Sequence, residues 1–297
     1  MEIQTSNSNN MKTYKEHYKA SQEAYKKDKG SFAYPRTKLY DFTVREYGPD
    51  KSDDLITVDD KMMSLIGDVA QVVDKRFADP EANCHFPTGA QRRDDPMFRM
   101  SQIWNIQPMN EFASLIMPQV EANVFGSYSV IDGLYCYRTF NLETIPKASF
   151  LWHYDNHCEE RIKLLFYLND VTEDNGPFEY LWNEKRDTGL VAKTTRIDHT
   201  QWRKHHSRIG KDELVTFTEK GFLPKKLLGP AGTFAMFDNN IVHRANIPKP
   251  GHYRDVFVLM CRPFHEKLHP HIDKKWTGTN YHIDTNPDPE SKTVVKK

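Results

Sequence analysis

The feature that most constrains this chain is a histidine and an aspartate two residues apart, His153 and Asp155, inside an aromatic, extended-looking run over residues 150–181. Side chains alternate between the two faces of a β-strand, so residues two apart point to the same side. One rigid element therefore presents an imidazole and a carboxylate together. We expect this element to be a strand that carries the chemistry of the protein.

A metal site needs a third ligand from elsewhere, and His243 in the segment FDNNIVHRAN is the best candidate. Two histidines and one carboxylate on one face of a metal, with the other positions open, are typical of non-haem Fe(II) centres that activate O₂. We therefore expect His153, Asp155 and His243 to be both the metal ligands and the catalytic residues. The H-x-D pattern alone is a weak signal, and the alternative for each residue is a satisfied structural side chain.

An arginine follows this set of residues. Arg254 comes eleven residues after His243 and opens the apolar run DVFVLMCRPF. A fixed guanidinium fork suits a bidentate grip on a carboxylate. We expect Arg254 to bind the carboxylate of a ligand, and the alternative is an ordinary cross-strand ion pair.

A longer pattern accompanies these residues. The motif HYD is followed by YLNDVTEDNGPFEYL, by the glycine-containing segment GPAGTFAMFDN, and then by His243 and Arg254. Over roughly residues 100 to 265 the chain resembles the phytanoyl-CoA dioxygenase-like branch of the Fe(II)/2-oxoglutarate oxygenases. The resemblance implies Fe(II) as the metal and 2-oxoglutarate and O₂ as co-substrates. It further implies hydroxylation, or a related oxidation, of a small molecule with release of succinate and CO₂.

The resemblance also implies roles for individual residues. Arg254 matches the family's arginine that binds the 2-oxoglutarate carboxylate farthest from the iron, and Arg138 and Asn141 are candidate further contacts. The alternative for these two is that polar residues near a strand end simply meet solvent. Ala245 stands where many relatives have a Ser or Thr that assists the arginine, so another donor must substitute. After Leu181 the chain lacks the Pro-Gly-Ser-His-like turn of many relatives, which leaves the substrate side open.

Predicted helices precede predicted strands along the chain. Thr57, with an acid three residues on, predicts a helix start, and apolar residues recur at helical spacing as far as Phe77. A second helix is predicted over residues 109–125, interrupted by Pro118. Strands are predicted within residues 128–141, 164–168, 177–182, 233–238 and 256–261. This order favours a mainly β fold, a double-stranded β-helix (the jelly-roll or cupin-like barrel) buttressed by the N-terminal helices.

The expected organisation is one oxygenase domain over residues 13–285. Its helical buttress spans about residues 13–127 and its barrel about residues 128–265. The polar ends, residues 1–12 and 286–297, are expected to be disordered. The long polar stretch over residues 183–220 predicts a functional lid or insertion.

Composition narrows the partners and the compartment. Lys and Arg number 41 and Asp and Glu number 41, so no charge imbalance points to nucleic acid or to an anionic membrane. The four cysteines are scattered, and neither an apolar signal-peptide core nor a membrane-spanning apolar run is present. We expect a cytoplasmic protein with a small-molecule substrate; the oligomeric state stays open. The alternatives are an oxygenase that acts on a macromolecule and an inactive cupin-like protein that only binds a metal or ligand.

Overall fold

The computed structural model describes residues 40–85, 97–100, 103, 106–126, 128–141, 148–156, 161–192 and 207–263. The helices are α1 (Asp60–Phe77), α2 (Pro80–Asn83), α3 (Gln107–Gln119), which continues as a π-helix (Val120–Phe125), and α4 (Lys211–Glu219). The strands are β1 (Val44–Tyr47), β2 (Cys84–His85), β3 (Met97–Met100), β4 (Ser129–Phe140), β5 (Ile162–Tyr167), β6 (Phe178–Asn183), β7 (Thr188–Gly189), β8 (Leu223–Lys226), β9 (Phe234–Asp238), β10 (His243–Ala245) and β11 (Tyr253–Pro263). The chain ends for which disorder is predicted lie outside the described residues.

Two antiparallel sheets form the body of the protein. The larger has seven strands in the order β1-β9-β5-β11-β4-β3-β2, and the smaller is built around β6, which pairs with β7, β8 and β10. All of the strand pairs are antiparallel and most join strands distant in sequence, as the crossing connections of a jelly roll require. The predicted double-stranded β-helix is confirmed.

Both faces of the larger sheet are buried. On β5, Leu164 and Phe166 face a core shared with the helices, whereas Leu165 and Tyr167 face the space between the two sheets. This explains why β5 is a continuous apolar run without alternation. A stack of phenylalanines, in which Phe166 lies 4.4 Å from Phe257 between ring centroids, ties the sheet to α3. Each fully buried ring of this kind contributes about 1.5–3 kcal/mol relative to exposure.

The N-terminal helices cover the outer face of the larger sheet, as predicted. The apolar stripe of α1 is buried in the same core as Phe166. The predicted cap was wrong by two residues, because Asp59 and not Thr57 accepts the hydrogen bond from the Met62 N–H, at 2.8 Å. The backbone of Thr57 instead bonds the side chain of Gln119.

Pro118 changes the second helix without ending it. A proline inside a helix has no N–H to donate and crowds the preceding turn. From Val120 the backbone hydrogen bonds follow the π-helical pattern. This π-helix is capped by Gly126, whose backbone is in the left-handed conformation (φ 56°). Within the described part of the chain, none of these helices combines the length and apolar character that crossing a bilayer demands.

The stretch predicted to be a lid is partly built into the smaller sheet. Residues 183–192 complete β6, form a short 3₁₀ turn (Glu184–Arg186) and add β7, and residues 211–219 form α4. The segment Ser207–Ile209 pairs with Trp152–Tyr154, since the Tyr154 N–H donates to the Ser207 carbonyl at 3.1 Å. Residues 193–206 lie outside the described part.

Gly176→Ala is expected to destabilise the fold. Gly176 has φ 70°, and a Cβ there would lie 2.4 Å from the Asn246 carbonyl oxygen. The left-handed backbone alone costs a non-glycine residue about 1–3 kcal/mol. The measurement is the free energy of unfolding by chemical denaturation.

Gly67→Ala is the matched control. Gly67 lies exposed within α1, and a Cβ there would meet no atom within 4 Å. Alanine at a compatible helical position stabilises by about 0.4–1 kcal/mol. Equal effects of the two substitutions would contradict the close approach at Gly176.

Candidate metal centre

His153 and Asp155 lie on a short extended segment that enters the smaller sheet. The His153 N–H donates to the His243 carbonyl at 2.9 Å, and the His243 N–H donates back at 2.8 Å. On the other side, the Ile209 N–H donates to the Trp152 carbonyl at 2.9 Å. The segment is a pair of isolated bridges rather than the full strand that was predicted. Its extended backbone still points the two side chains the same way.

The predicted ligand set comes together. The ligand atoms of His153, Asp155 and His243 all lie within 4.8 Å of one another. The His153 Nε2 is 3.9 Å from the Asp155 Oδ1, and the two imidazole centroids are 4.3 Å apart. Three donor atoms are therefore gathered around one point, as a facial metal site requires.

Each histidine is oriented by a carbonyl two residues earlier in the chain. The His153 Nδ1 lies 2.8 Å from the Leu151 carbonyl oxygen, and the His243 Nδ1 lies 2.8 Å from the Ile241 carbonyl oxygen. A carbonyl can only accept, so both Nδ1 atoms carry the proton. Both Nε2 lone pairs are then directed to the common point, which is how metal-binding histidines are held.

Burial keeps both imidazoles neutral. It lowers the pKa of His243 to about 3, with a smaller contribution from the neighbouring His153. It also lowers the pKa of His153, although the Asp155 carboxylate opposes the shift. Neutral imidazole is the form that binds a metal, so no proton has to be displaced from these ligands near neutral pH.

Lys163 holds the second oxygen of the carboxylate. Its Nζ lies 2.5 Å from the Asp155 Oδ2, and both side chains are about one-fifth exposed. This leaves Oδ1 directed toward the histidines. Sequence reasoning passed over Lys163, although one cation inside the apolar strand IKLLFY is a signal that a buried anion is nearby.

Arg254 is almost completely buried, at 1% exposure, and lines the same cavity. Its Nε and Nη1 have no hydrogen-bond partner among the described residues. Burial raises the pKa of the neighbouring Tyr167 to about 12, against the opposing charge of Arg254. A buried guanidinium with unused donors is costly unless an anion completes it.

Thr139 lies directly across from Arg254 in the β4–β11 register. Its side chain is fully buried, and its Oγ1 has no hydrogen-bond partner among the described residues. Opposite residues on paired strands share a face of the sheet, so this hydroxyl lies on the same side as the guanidinium. The sequence alone did not predict Thr139 as a site residue, because only the strand register identifies it as the neighbour of Arg254.

The two other predicted co-substrate contacts do not line the cavity. Arg138 lies one position from Thr139, on the opposite face of β4, where it binds Asp255 through two hydrogen bonds of 2.8 and 2.7 Å. It also bonds Asp74 of α1 at 2.9 Å. The Asn141 side chain donates to the Pro248 carbonyl at 2.7 Å. Strand alternation therefore turns Arg138 away from the cavity, and the Asn141 side chain is engaged with the loop that precedes β11.

The ligand set opens into a cavity of about 210 Å³. Phe178 and Phe237 pack against the His243 ring, with centroids 5.5 and 5.7 Å away. Ala245 also lines the cavity and contributes no donor from its side chain. The remaining lining residues are Met97, Arg99, Tyr135, Tyr137, Ser149, Leu165 and Val258.

Comparison of the sequence with known proteins gives a partial match. No family model matches the chain. It is 29% identical over 117 residues to L-proline trans-4-hydroxylase of Streptomyces griseoviridis, a match that covers 36% of this chain and 43% of that relative. The chain thus spans less than half the length of the curated relative that it matches.

Two solved structures resemble the chain at low identity. The epimerase SnoN, in complex with Fe³⁺, alpha ketoglutarate and nogalamycin RO, has a TM-score of 0.50 at 12% identity, over 75% of this chain and 79% of that chain. EctD from S. alaskensis has a TM-score of 0.47 at 14% identity, over 78% of this chain and 77% of that chain. The likeness to SnoN supports the double-stranded β-helix.

Removing either histidine is expected to abolish iron binding. His153→Ala and His243→Ala each delete one of two neutral donors, and Asp155 with a single imidazole leaves an incomplete facial site. Anaerobic Fe(II) titration should give one ion per chain for the unmodified protein and none for either variant. His252→Ala is the control, because His252 is exposed and lies outside the ligand set. Full iron affinity in both variants would exclude this ligand set.

Proposed function

We propose that this protein is an Fe(II)- and 2-oxoglutarate-dependent dioxygenase that hydroxylates a small molecule, related to the phytanoyl-CoA dioxygenase-like branch. The observation that carries the proposal is the combination of a two-histidine, one-carboxylate ligand set with a buried, incompletely bonded arginine in one cavity. The free thiols of Cys84, Cys136 and Cys261 are compatible with the cytoplasm as its compartment.

The donor set suits ferrous iron. The two Nε2 atoms and the Asp155 Oδ1 provide the imidazole and carboxylate ligands of non-haem Fe(II) centres. The charge of Asp155 offsets part of the charge of the metal, while Lys163 keeps its other oxygen engaged. The Leu151 and Ile241 carbonyls hold the rings in place. These residues would hold the ion before any other ligand arrives.

The other end of the cavity suits the distal carboxylate of 2-oxoglutarate. The Arg254 Nε and Nη1 and the Thr139 Oγ1 are buried donors with no partner among the described residues. A carboxylate accepts two parallel bonds from a guanidinium and a third from a hydroxyl. Thr139 would thus supply the donor that Ala245 cannot.

Bound together, Fe(II), 2-oxoglutarate and O₂ supply an oxidative decarboxylation to succinate and CO₂ that delivers one oxygen atom to a substrate C–H bond. The protein's own contribution is to orient the two ends of the co-substrate and to exclude water from its buried end. The name of the partial relative, a proline hydroxylase, supports a small-molecule substrate. Because that match covers 43% of the relative, it does not identify the substrate.

The test of this function is formation of succinate. Purified protein supplied with Fe(II), 2-oxoglutarate and O₂ should form succinate slowly without a substrate, and faster with one. Chromatography with mass detection measures the product, and His243→Ala provides the inactive control. Stoichiometric binding of iron without any succinate would contradict the proposal and leave a protein that only binds.

Arg254→Ala is expected to raise the 2-oxoglutarate requirement by about 150- to 4,000-fold, because a buried carboxylate that loses its charged partner is destabilised by about 3–5 kcal/mol. Arg254→Lys should recover part of this loss, since one ammonium does not reproduce the fork.

Thr139→Val should raise the same requirement by about 10-fold or more, because it removes a single bond to a charged acceptor. Iron titration of the same variants is the control and should be unchanged. Unchanged 2-oxoglutarate affinity in Arg254→Ala would mean that another residue anchors the co-substrate.

A further inference from the structure

One cation in the cavity has no partner within the described structure. Arg99 lies on β3, partly buried, and lines the cavity together with Met97. Between them in sequence, Phe98 faces the opposite side and packs on Phe140 at a centroid distance of 4.6 Å. Strand alternation thus directs Arg99 inward, into the cavity that His153, Asp155 and His243 also line.

The charges that line the cavity do not balance. Three cations, Arg99, Lys163 and Arg254, face one carboxylate, Asp155. Lys163 is paired with Asp155 at 2.5 Å. In the function proposed above, Arg254 binds the distal carboxylate of 2-oxoglutarate. The charge of a divalent iron and that of a dianionic co-substrate cancel each other, so the cavity keeps its excess of positive charge. Of the three cations, Arg99 is the one for which this function provides no anion.

Arg99 and Arg254 lie on different strands of the same inner face. Arg254 is opposite Thr139 on β4, and Thr139 is opposite Met97 on β3, whereas Arg99 is opposite Tyr137. The two arginines are therefore two strands apart and offset by two residues. Strand geometry gives about 10 Å across the sheet and about 7 Å along it. Arg99 thus lies beside a different part of the same inner face, a second subsite next to that of Arg254.

We propose that Arg99 binds a carboxylate or phosphate group of the substrate, so that the protein acts on small anionic molecules. A guanidinium presents parallel donors that match either oxyanion, and the uncompensated positive charge raises the local concentration of anions in the cavity. Tyr137, the cross-strand neighbour of Arg99, also lines the cavity and provides a hydroxyl next to this subsite. The inference rests on the proposed function, because the substrate is the molecule that shares the cavity with the co-substrate.

The experiment is anaerobic calorimetry on protein loaded with Fe(II) and 2-oxoglutarate. The probes are L-amino acids and short carboxylic acids, each paired with its primary amide, and phosphate monoesters, each paired with its parent alcohol. We expect at least one anionic probe to bind and its neutral partner to bind at least about 10-fold more weakly. The two sets of pairs decide between carboxylate and phosphate.

Variants assign the subsite to Arg99. Arg99→Gln should weaken binding of the anionic probe found above by about 10- to 100-fold and should reduce the salt dependence of that binding. The affinity for 2-oxoglutarate should not change. Arg99→Lys keeps the charge but not the planar guanidinium, so its affinity for the probe should lie between that of the unmodified protein and that of Arg99→Gln. Arg186→Gln, at an exposed arginine of the 3₁₀ turn between β6 and β7, is the matched control and should bind like the unmodified protein.

Three results would overturn the inference. The first is that no anionic probe binds. The second is that the neutral partners bind as tightly as the anionic probes. The third is that Lys163→Gln weakens binding of the anionic probe whereas Arg99→Gln does not. Failure of the loaded protein to retain Fe(II) and 2-oxoglutarate, measured first in the same sample, would instead contradict the proposed function itself.

Discussion

The structure depends on one pair of backbone hydrogen bonds, between His153 and His243. These bonds join a segment that precedes β5 to the strand that follows β9, and so complete the smaller sheet. They also fix the distance between the two imidazoles, whose centroids lie 4.3 Å apart. Paired residues on adjacent antiparallel strands share a face. The contact that completes the sheet is therefore the contact that gathers the candidate metal ligands.

The cavity between the sheets is lined by several charged side chains, which an apolar core would not contain. Its geometry shows which of these charges are paired. Lys163 and Asp155 neutralise each other beside the histidines. Arg254 has two buried donor atoms without a partner among the described residues. Unsatisfied buried donors cost about 1–3 kcal/mol each, and more when charged. A site of this kind sacrifices stability for ligand binding, and the large aromatic core on the outer face of the sheet offsets that cost.

Neighbouring positions on one strand pair illustrate the limit of prediction from sequence. Arg138 and Arg254 both flank apolar strand residues, and both are plausible ligands of a carboxylate when only their types are considered. The register pairs Arg254 with Thr139 and Asp255 with Arg138. One position along the strand reverses the face, so Arg254 enters the cavity while Arg138 turns to Asp255 and Asp74. The same alternation places Arg99 in the cavity, although no sequence motif surrounds this residue.

The sequence by itself determined the local features: the alternating pair His153 and Asp155, the apolar strands and the helical stripe of α1, because each depends on neighbours within a few residues. The order and spacing of the motifs also predicted His243 and Arg254 as site residues. Only the tertiary structure decided which side chains meet across strands, such as Lys163 with Asp155 and Thr139 with Arg254. Those contacts depend on the register between distant segments, and a shift of one residue would send every side chain to the other face.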